Sequence, residues 1–86
     1  MDPTDYTQFF RSLGKHLRDE RVRHRYTQED MIAHGFSARH WQQIEAGRSI
    51  TIKTLLRACS TFDIKPSTLI RRVEVDLGAS GKAGGR

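Results

Sequence analysis

The chain of 86 residues carries 15 lysine and arginine residues against 10 aspartate and glutamate residues, a formal net charge of +5 at pH 7. This length predicts one small domain with a limited core, and the positive charge favours a polyanionic partner through counterion release. No apolar run approaches the roughly 20 residues that span a bilayer, and no signal-peptide core is visible, so we expect a cytoplasmic or nucleoid-associated protein without a membrane partner.

The first predicted element is a helix from about Tyr6 to His24, capped by Thr4 or Asp5. Its apolar side consists of Phe9, Phe10, Leu13 and Leu17. Gly14 interrupts this helix at some cost in helix stability. A close approach by another backbone segment and a tolerated defect are both open explanations for the glycine.

Residues 27–47, TQEDMIAHGFSARHWQQIEAG, predict two short helices joined by a tight turn. Thr27 begins a T-x-x-D capping box with Asp30, and Gly35 supplies the turn. The apolar side of the first short helix is expected to consist of Met31 and Ile32. A capped helix, a glycine turn and a second capped helix occur in the order that a DNA-binding helix-turn-helix requires.

The second helix of the motif, at about residues 38–46, has two unlike faces. An inward stripe is predicted at positions i, i+4 and i+7, which are Ser37 (also the N-cap), Trp41 and Ile44. The opposite face carries Arg39, Gln42, Gln43 and Ala46. Arginine matches O6 and N7 of guanine, and glutamine matches N6 and N7 of adenine, so this face predicts direct base reading in the major groove. A merely solvated amphipathic helix is the alternative.

Other polar residues of the motif are expected to contact DNA phosphates. Gln28 occupies the first turn of its helix, where helix N-termini meet phosphate oxygens. Arg48 and Ser49 follow the second helix in a loop that is expected to face the DNA backbone. Ser37 and His40 flank the reading face, and for His40 a solvated surface histidine is an equal alternative.

Six segments together resemble a known family: LGKHLRDER before the motif, TQED in its first helix, GFS at the turn, IEAGR after the second helix, then TLLRAC and FDIKPSTLI. Over about residues 13–70 the chain resembles the phage Cro and repressor type of helix-turn-helix proteins, also called XRE-like regulators. The glutamine of TQ in that family holds a phosphate, which implies this role for Gln28. The exposed positions just after the turn read bases, which implies Ala38, Arg39 and Gln43.

The resemblance also implies a compact, all-α, five-helix lambda-repressor-like domain, with a partly buried ion pair between Arg21 and Glu45. The chain departs from the family pattern in three places. The segment between TQ and the turn is one residue short, so its last turn is expected to be tight or irregular. Glu20 occupies a usually apolar position and Trp41 one usually held by a smaller aliphatic residue, so we expect a core repacked around the indole ring.

Two more helices are predicted after the motif. Thr51 caps a fourth helix that carries Ile52, Leu55, Leu56, Cys59 and Phe62. Pro66 suits the first turn of a fifth helix, with Leu69 and Ile70 inside. The single cysteine, Cys59, excludes an internal disulfide and suits a reducing compartment, and a buried packing role is favoured over redox sensing.

Val73, Val75 and Leu77 alternate with Glu74 and Asp76, and this period of two predicts a short strand with one apolar face. Its partner is either the same strand of a second chain or a groove beside the first helix. A two-fold dimer places two reading helices about one DNA turn, roughly 34 Å, apart. We therefore expect a homodimer, formed through these three apolar residues, on a palindromic or near-palindromic operator.

The DNA-binding domain is expected to span residues 1–77, followed by a flexible Gly-rich tail at residues 78–86. Adjacent acidic residues such as Asp19 and Glu20 diverge around a helix, so no catalytic acid and base pair is evident. The histidines lack metal-ligand spacing, and no Gly-rich loop follows a strand. We expect no enzyme activity, metal, cofactor or small-molecule ligand.

These features predict a sequence-specific regulator of transcription that binds double-stranded DNA, most simply a repressor that occludes a promoter. The alternative is an antitoxin, a protein-binding module that neutralises a toxin and represses its own operon. Antitoxins usually carry a separate toxin-wrapping segment, and only residues 71–77 are available for that role.

Overall fold

Four α-helices and one 3₁₀ helix make up the regular structure of residues 5–81, the part of the chain that this computed structural model describes; side chains are described for residues 6–78. The helices are α1 (Asp5–Arg23), the 3₁₀ helix (Glu29–His34), α2 (Ala38–Glu45), α3 (Ile52–Thr61) and α4 (Pro66–Gly81). The all-α class expected from the sequence is confirmed for this part of the chain. None of these helices is long and apolar enough to cross a membrane.

The helices enclose one core, to which α1, α2, α3 and α4 all contribute. Its buried members are Leu13, Leu17, Met31, Phe36, Trp41, Ile44, Leu55, Ala58, Cys59, Phe62, Leu69 and Val73. The helix α1 packs against α4 on one side and against α2 on the other. Burial of these apolar side chains is the main force that holds the helices together.

Trp41 is fully buried and is the largest side chain in the core. Its ring lies edge-on to Phe36 and Phe62, with centroid distances of 5.0 Å and 5.9 Å. Aromatic pairs favour this geometry because the positive edge of one ring meets the negative face of another. The inward assignments of Trp41 and Ile44 are therefore confirmed, whereas Ser37 caps α2 from an exposed position.

Gly14 lies where α1 crosses the carboxyl-terminal end of α2. A methyl group at Gly14 would clash with the carbonyl oxygen of Ile44 and would lie 2.8 Å from that of Glu45. Of the two explanations left open by the sequence, close backbone approach is the one that the structure contains. The glycine lets α1 rest directly on the last turn of the predicted reading helix.

The predicted carboxyl-terminal strand is wrong, because α4 continues as one helix from Pro66 to Gly81. Leu69, Val73 and Leu77 are spaced by four residues and form a helical stripe against the core. Val73 is fully buried in its own chain, so it is not available as part of a dimer surface, while Val75 is 64% exposed. A run of five alternating residues is too short to distinguish the period of two of a strand from the 3.6-residue period of a helix.

The expected boundary of the Gly-rich tail falls inside α4, since residues 78–81 continue the helix. The rest of that predicted tail, residues 82–86, lies outside the described residues. Some apolar residues assigned to inner faces are exposed instead: Ile32, Ile52 and Leu56. Ile32 and Leu56 each follow a buried residue, Met31 and Leu55, and only one of two adjacent helical residues can face the core.

The predicted elements after the motif have the expected starts. Thr51 Oγ1 accepts a hydrogen bond from the backbone N–H of Thr54 at 3.1 Å and caps α3. Pro66 is the first residue of α4. Cys59 is buried, and burial raises the pKa of its thiol, which disfavours the reactive thiolate.

Candidate nucleic-acid interface

A reciprocal cap begins the first short helix of the motif. The backbone N–H of Asp30 donates to Thr27 Oγ1 at 3.1 Å, and the backbone N–H of Thr27 donates to Asp30 Oδ2 at 2.7 Å. This is the geometry of the predicted capping box. The shortened segment was expected to be tight or irregular in its last turn, but all six residues from Glu29 to His34 are wound as a 3₁₀ helix.

The turn between the two motif helices depends on Gly35, which has φ 94° in the left-handed region. Arg57, on α3, stabilises this turn from outside the motif. Its Nη2 donates to the Gly35 carbonyl oxygen at 2.5 Å, and its guanidinium lies 4.9 Å from the centre of the Phe36 ring. This role of Arg57 was not predicted, and the sequence contains no local signal for it because the contact joins residues 22 positions apart.

The helix α2 begins with its N-cap satisfied, since Ser37 Oγ accepts from the backbone N–H of His40 at 3.0 Å. The predicted base-reading residues differ in exposure. Arg39 and Gln42 are exposed, while Ala38 and Gln43 are partly buried. Among the expected phosphate contacts, Ser37, His40, Arg48 and Ser49 are exposed and Gln28 is partly buried. The observed helix ends at Glu45, with Ala46 as its C-cap, one residue short of the predicted end.

Glu45 connects α2 to the rest of the domain. Its carboxylate accepts two hydrogen bonds from Arg21, from Nε at 2.5 Å and from Nη2 at 3.2 Å, so the pair implied by the family resemblance is present. The same carboxylate accepts from Nε2 of Gln28 at 3.1 Å and from the indole N–H of Trp41. The Glu45 side chain is only 6% exposed, so these four donors compensate a buried charge.

Gln28, expected to bind a phosphate, therefore also holds Glu45. An amide nitrogen carries two hydrogens, and the contact with Glu45 uses one of them. The second remains chemically available for a phosphate oxygen. The indole contact was not predicted, although Trp41 and Glu45 stand four residues apart on one helix, a spacing at which side chains meet.

Glu20, noted as an acidic residue at a usually apolar position, is 4% exposed. It is balanced by charge: Arg72 Nη1 lies 2.6 Å and Arg23 Nη1 lies 3.7 Å from its Oε2. Arg72 belongs to α4, so this pair fastens α1 to α4. The sequence marked Glu20 as unusual but gave no means of finding a partner 52 residues away.

Among the side chains of residues 6–78 no cluster of three or more histidine, cysteine, aspartate or glutamate residues could hold a metal ion. No protein-family model matches the chain, and no match was found among curated proteins or solved structures. Any functional assignment therefore depends on the residues and contacts described above.

Proposed function

We propose that this protein is a sequence-specific regulator of transcription with a lambda-repressor-like fold, most simply a repressor, that reads double-stranded DNA with α2. The observation that carries the proposal is the contrast between the two sides of α2. One side buries Trp41 and Ile44, while the other presents Arg39 and Gln42 to solvent. A helix held firmly from one side and polar on the other has the properties needed to enter a major groove.

The fixing of α2 supports this assignment, because base recognition needs side chains held in a defined register. The Glu45 carboxylate ties the helix to Arg21 and Gln28, and α1 rests on its last turn through Gly14. At the other end, Ser37 caps the first turn. The contacts at Glu45 and Gly14 hold the last turn of α2 against the rest of the domain, and the cap orders its first turn.

Phosphate contacts are assigned to residues at the edges of this helix. Ser37, His40, Arg48 and Ser49 are exposed around α2, and Gln28 offers its second amide hydrogen. Hydrogen bonds to phosphates fix the register of a protein on the duplex, and contacts to base edges supply the specificity. Ala38, Arg39, Gln42 and Gln43 are assigned to the base edges.

The proposal includes a homodimer on a palindromic or near-palindromic operator, because two-fold pairing places two reading helices one DNA turn apart. Val73, a residue of α4, is excluded from the proposed dimer interface because its side chain is buried in the core of its own chain. The antitoxin alternative loses its candidate wrapping segment, since residues 71–77 are folded into α4 and pack on α1 through Arg72. We therefore favour the regulator.

The test is selection of preferred sites from random duplex DNA at near-physiological salt, with wild type, Arg39→Ala and the control Arg71→Ala. Arg71 is exposed on α4, outside the helix-turn-helix motif. We expect wild type and Arg71→Ala to select the same two-fold symmetric site, and Arg39→Ala to lose preference at one guanine. Enrichment of no sequence by the wild-type protein would overturn the proposal.

A further inference from the structure

A row of basic residues lies on α1, outside the helix-turn-helix motif. Arg11, Lys15 and Arg18 are all exposed and are spaced at i, i+4 and i+7, so they share one side of the helix. We name these three residues the α1 stripe. At 1.5 Å per residue the α1 stripe is about 10 Å long.

The α1 stripe begins beside the end of the reading helix. A methyl group placed on Gly47 would lie 3.0 Å from Cγ and 3.2 Å from Cα of Arg11, so Arg11 is packed against Gly47. The next residue along the chain is Arg48, which is exposed and already assigned to the DNA backbone. Arg11, the first residue of the α1 stripe, therefore lies beside the loop that carries Arg48.

The charges of this surface are largely uncompensated by the protein. Among side chains 6–78, the ion pairs of the structure involve His16, Arg21, Arg23 and Arg72, and none involves Arg11, Arg18 or Arg48. Lys15 is different, because its charge contributes to lowering the pKa of Asp76. Two arginines of the α1 stripe thus present full positive charges to solvent.

We propose that the α1 stripe binds phosphates of the duplex that flank the segment read by α2, so that the DNA footprint of each subunit extends beyond its helix-turn-helix motif. This inference depends on the proposed function. Successive phosphates of one strand are farther apart than their 3.4 Å rise along the helix axis, because the strand also winds around that axis, so the two arginines at the ends of a stripe about 10 Å long can each meet one phosphate. Exposed arginines next to a phosphate-contacting loop are suited to this contact, since they bind phosphate oxygens bidentately.

The experiment compares two double variants that remove equal charge: Arg11→Gln/Arg18→Gln in the α1 stripe, and Lys65→Gln/Arg71→Gln at and near the start of α4. Both pairs are exposed, so both proteins are expected to keep the wild-type melting temperature. Affinity for the site selected by the wild-type protein is measured by fluorescence anisotropy over a series of salt concentrations. Each phosphate contact contributes about 0.9 to the slope of log K against log salt.

We expect the slope to fall by about 1.8 in the α1-stripe variant, with unchanged base preferences, and to stay at the wild-type value in the α4 variant. Equal changes in the two variants would show an effect of net charge alone and would overturn the inference. So would an unchanged slope in the α1-stripe variant. Failure of the wild-type protein to select any site would instead overturn the proposed function itself.

Duplex length gives a second, independent measurement. Shortening the DNA on both sides of the selected site should weaken wild-type binding in a step as the flanking phosphates are removed. The α1-stripe variant should show a much smaller step, because of the three groups assigned to those phosphates it retains only Lys15. A step of equal size in both proteins would contradict the assignment, even if the salt slopes differ.

Discussion

The indole N–H of Trp41 donates to the carboxylate of Glu45, one turn further along the same helix. Trp41 belongs to the core, and Glu45 also binds Arg21 on α1 and Gln28 next to the 3₁₀ helix. One hydrogen bond therefore connects the packing of the core with the position of a residue assigned to phosphate. Loss of the indole N–H should affect both stability and DNA binding.

Truncation of the Trp41 side chain should lower the free energy of unfolding more than loss of the indole N–H alone. Trp41→Ala removes a fully buried ring and is expected to lower the free energy of unfolding by about 3–5 kcal/mol. Trp41→Phe keeps an aromatic ring but loses the hydrogen bond to a charged acceptor, which is worth roughly 1.5–3 kcal/mol. Urea denaturation measures both values. An unchanged melting temperature in Trp41→Ala would contradict the buried position of the ring.

The Glu20–Arg72 pair predicts a large cost for removing one partner. Arg72→Met should lower the free energy of unfolding by about 2 kcal/mol, because it leaves a buried carboxylate poorly compensated. The cost stays below that of a fully buried pair, since Arg72 is one-third exposed and Arg23 also approaches Glu20.

Two control proteins distinguish the loss of the Glu20–Arg72 pair from a general effect of charge on stability. Arg71→Met, at the exposed neighbouring position, should change stability by no more than about 0.5 kcal/mol. Glu20→Leu/Arg72→Met should recover most of the loss, because no charge is then left buried. Equal losses in Arg71→Met and Arg72→Met would refute a specific pairing.

Two glycines in helices should respond to alanine in opposite directions. Gly14→Ala introduces a methyl group against the carbonyl oxygens of Ile44 and Glu45 and should destabilise the fold by about 1–3 kcal/mol or more. Gly78 has nothing within 4 Å of the added methyl position. Gly78→Ala should therefore stabilise the protein by about 0.5–1 kcal/mol through its helix propensity. Thermal melts should show a lower melting temperature for Gly14→Ala and a higher one for Gly78→Ala than for wild type.

The stability of the α1–α4 contact should depend on pH through Asp76. The hydroxyl of Ser12 donates to Oδ2 of Asp76 at 2.7 Å and His16 Nε2 lies at the same distance; together they lower the pKa of Asp76 below its ordinary value of 3.8. A carboxyl group with a lowered folded-state pKa contributes stability above its unfolded-state pKa, and this contribution disappears as the pH falls through the folded-state value.

The stability difference between wild type and Asp76→Asn should therefore shrink as the pH falls below about 4. Ser12→Ala removes the largest cause of the shift, so an NMR titration should find the pKa of Asp76 higher in that variant. A pKa of Asp76 that is the same with and without the Ser12 hydroxyl would contradict the assigned cause.

Arg39 and Arg48 should produce different losses of DNA binding. Arg39→Ala is expected to cost roughly 1–3 kcal/mol on the preferred site and to relax one base position. Arg48→Ala should weaken binding to all sequences similarly and reduce the salt slope by about 1. Binding isotherms on matched and substituted duplexes at several salt concentrations distinguish the two. A base-specific loss in Arg48→Ala would reverse the assigned roles.

Local patterns were sufficient to predict the elements that depend on residues close in sequence. The capping box at Thr27, the N-caps at Ser37 and Thr51 and the start of α4 at Pro66 all involve partners within one turn. The alternation from Val73 to Leu77 failed because five residues are too few to separate a period of two from one of 3.6. The helix is favoured because its stripe buries Val73 in the core, where α4 packs against α1 and α3.

Contacts between distant residues were predictable only where the family resemblance supplied them. The resemblance implied the Arg21–Glu45 pair. It implied neither the ion pair of Arg72 with Glu20 nor the hydrogen bond of Arg57 to Gly35. Each of these unpredicted contacts is made by a long arginine side chain that reaches another helix. Their pairing depends on how the helices pack, which the sequence of one segment does not specify.

The 3₁₀ winding between Glu29 and His34 has a consequence for chain length. A 3₁₀ helix rises about 2.0 Å per residue, against 1.5 Å for an α-helix, so six residues cover about 12 Å, the span of eight α-helical residues. Six residues in this segment thus cover a length that would need eight residues of α-helix. A single inserted residue here should be absorbed by a return to α-helical geometry.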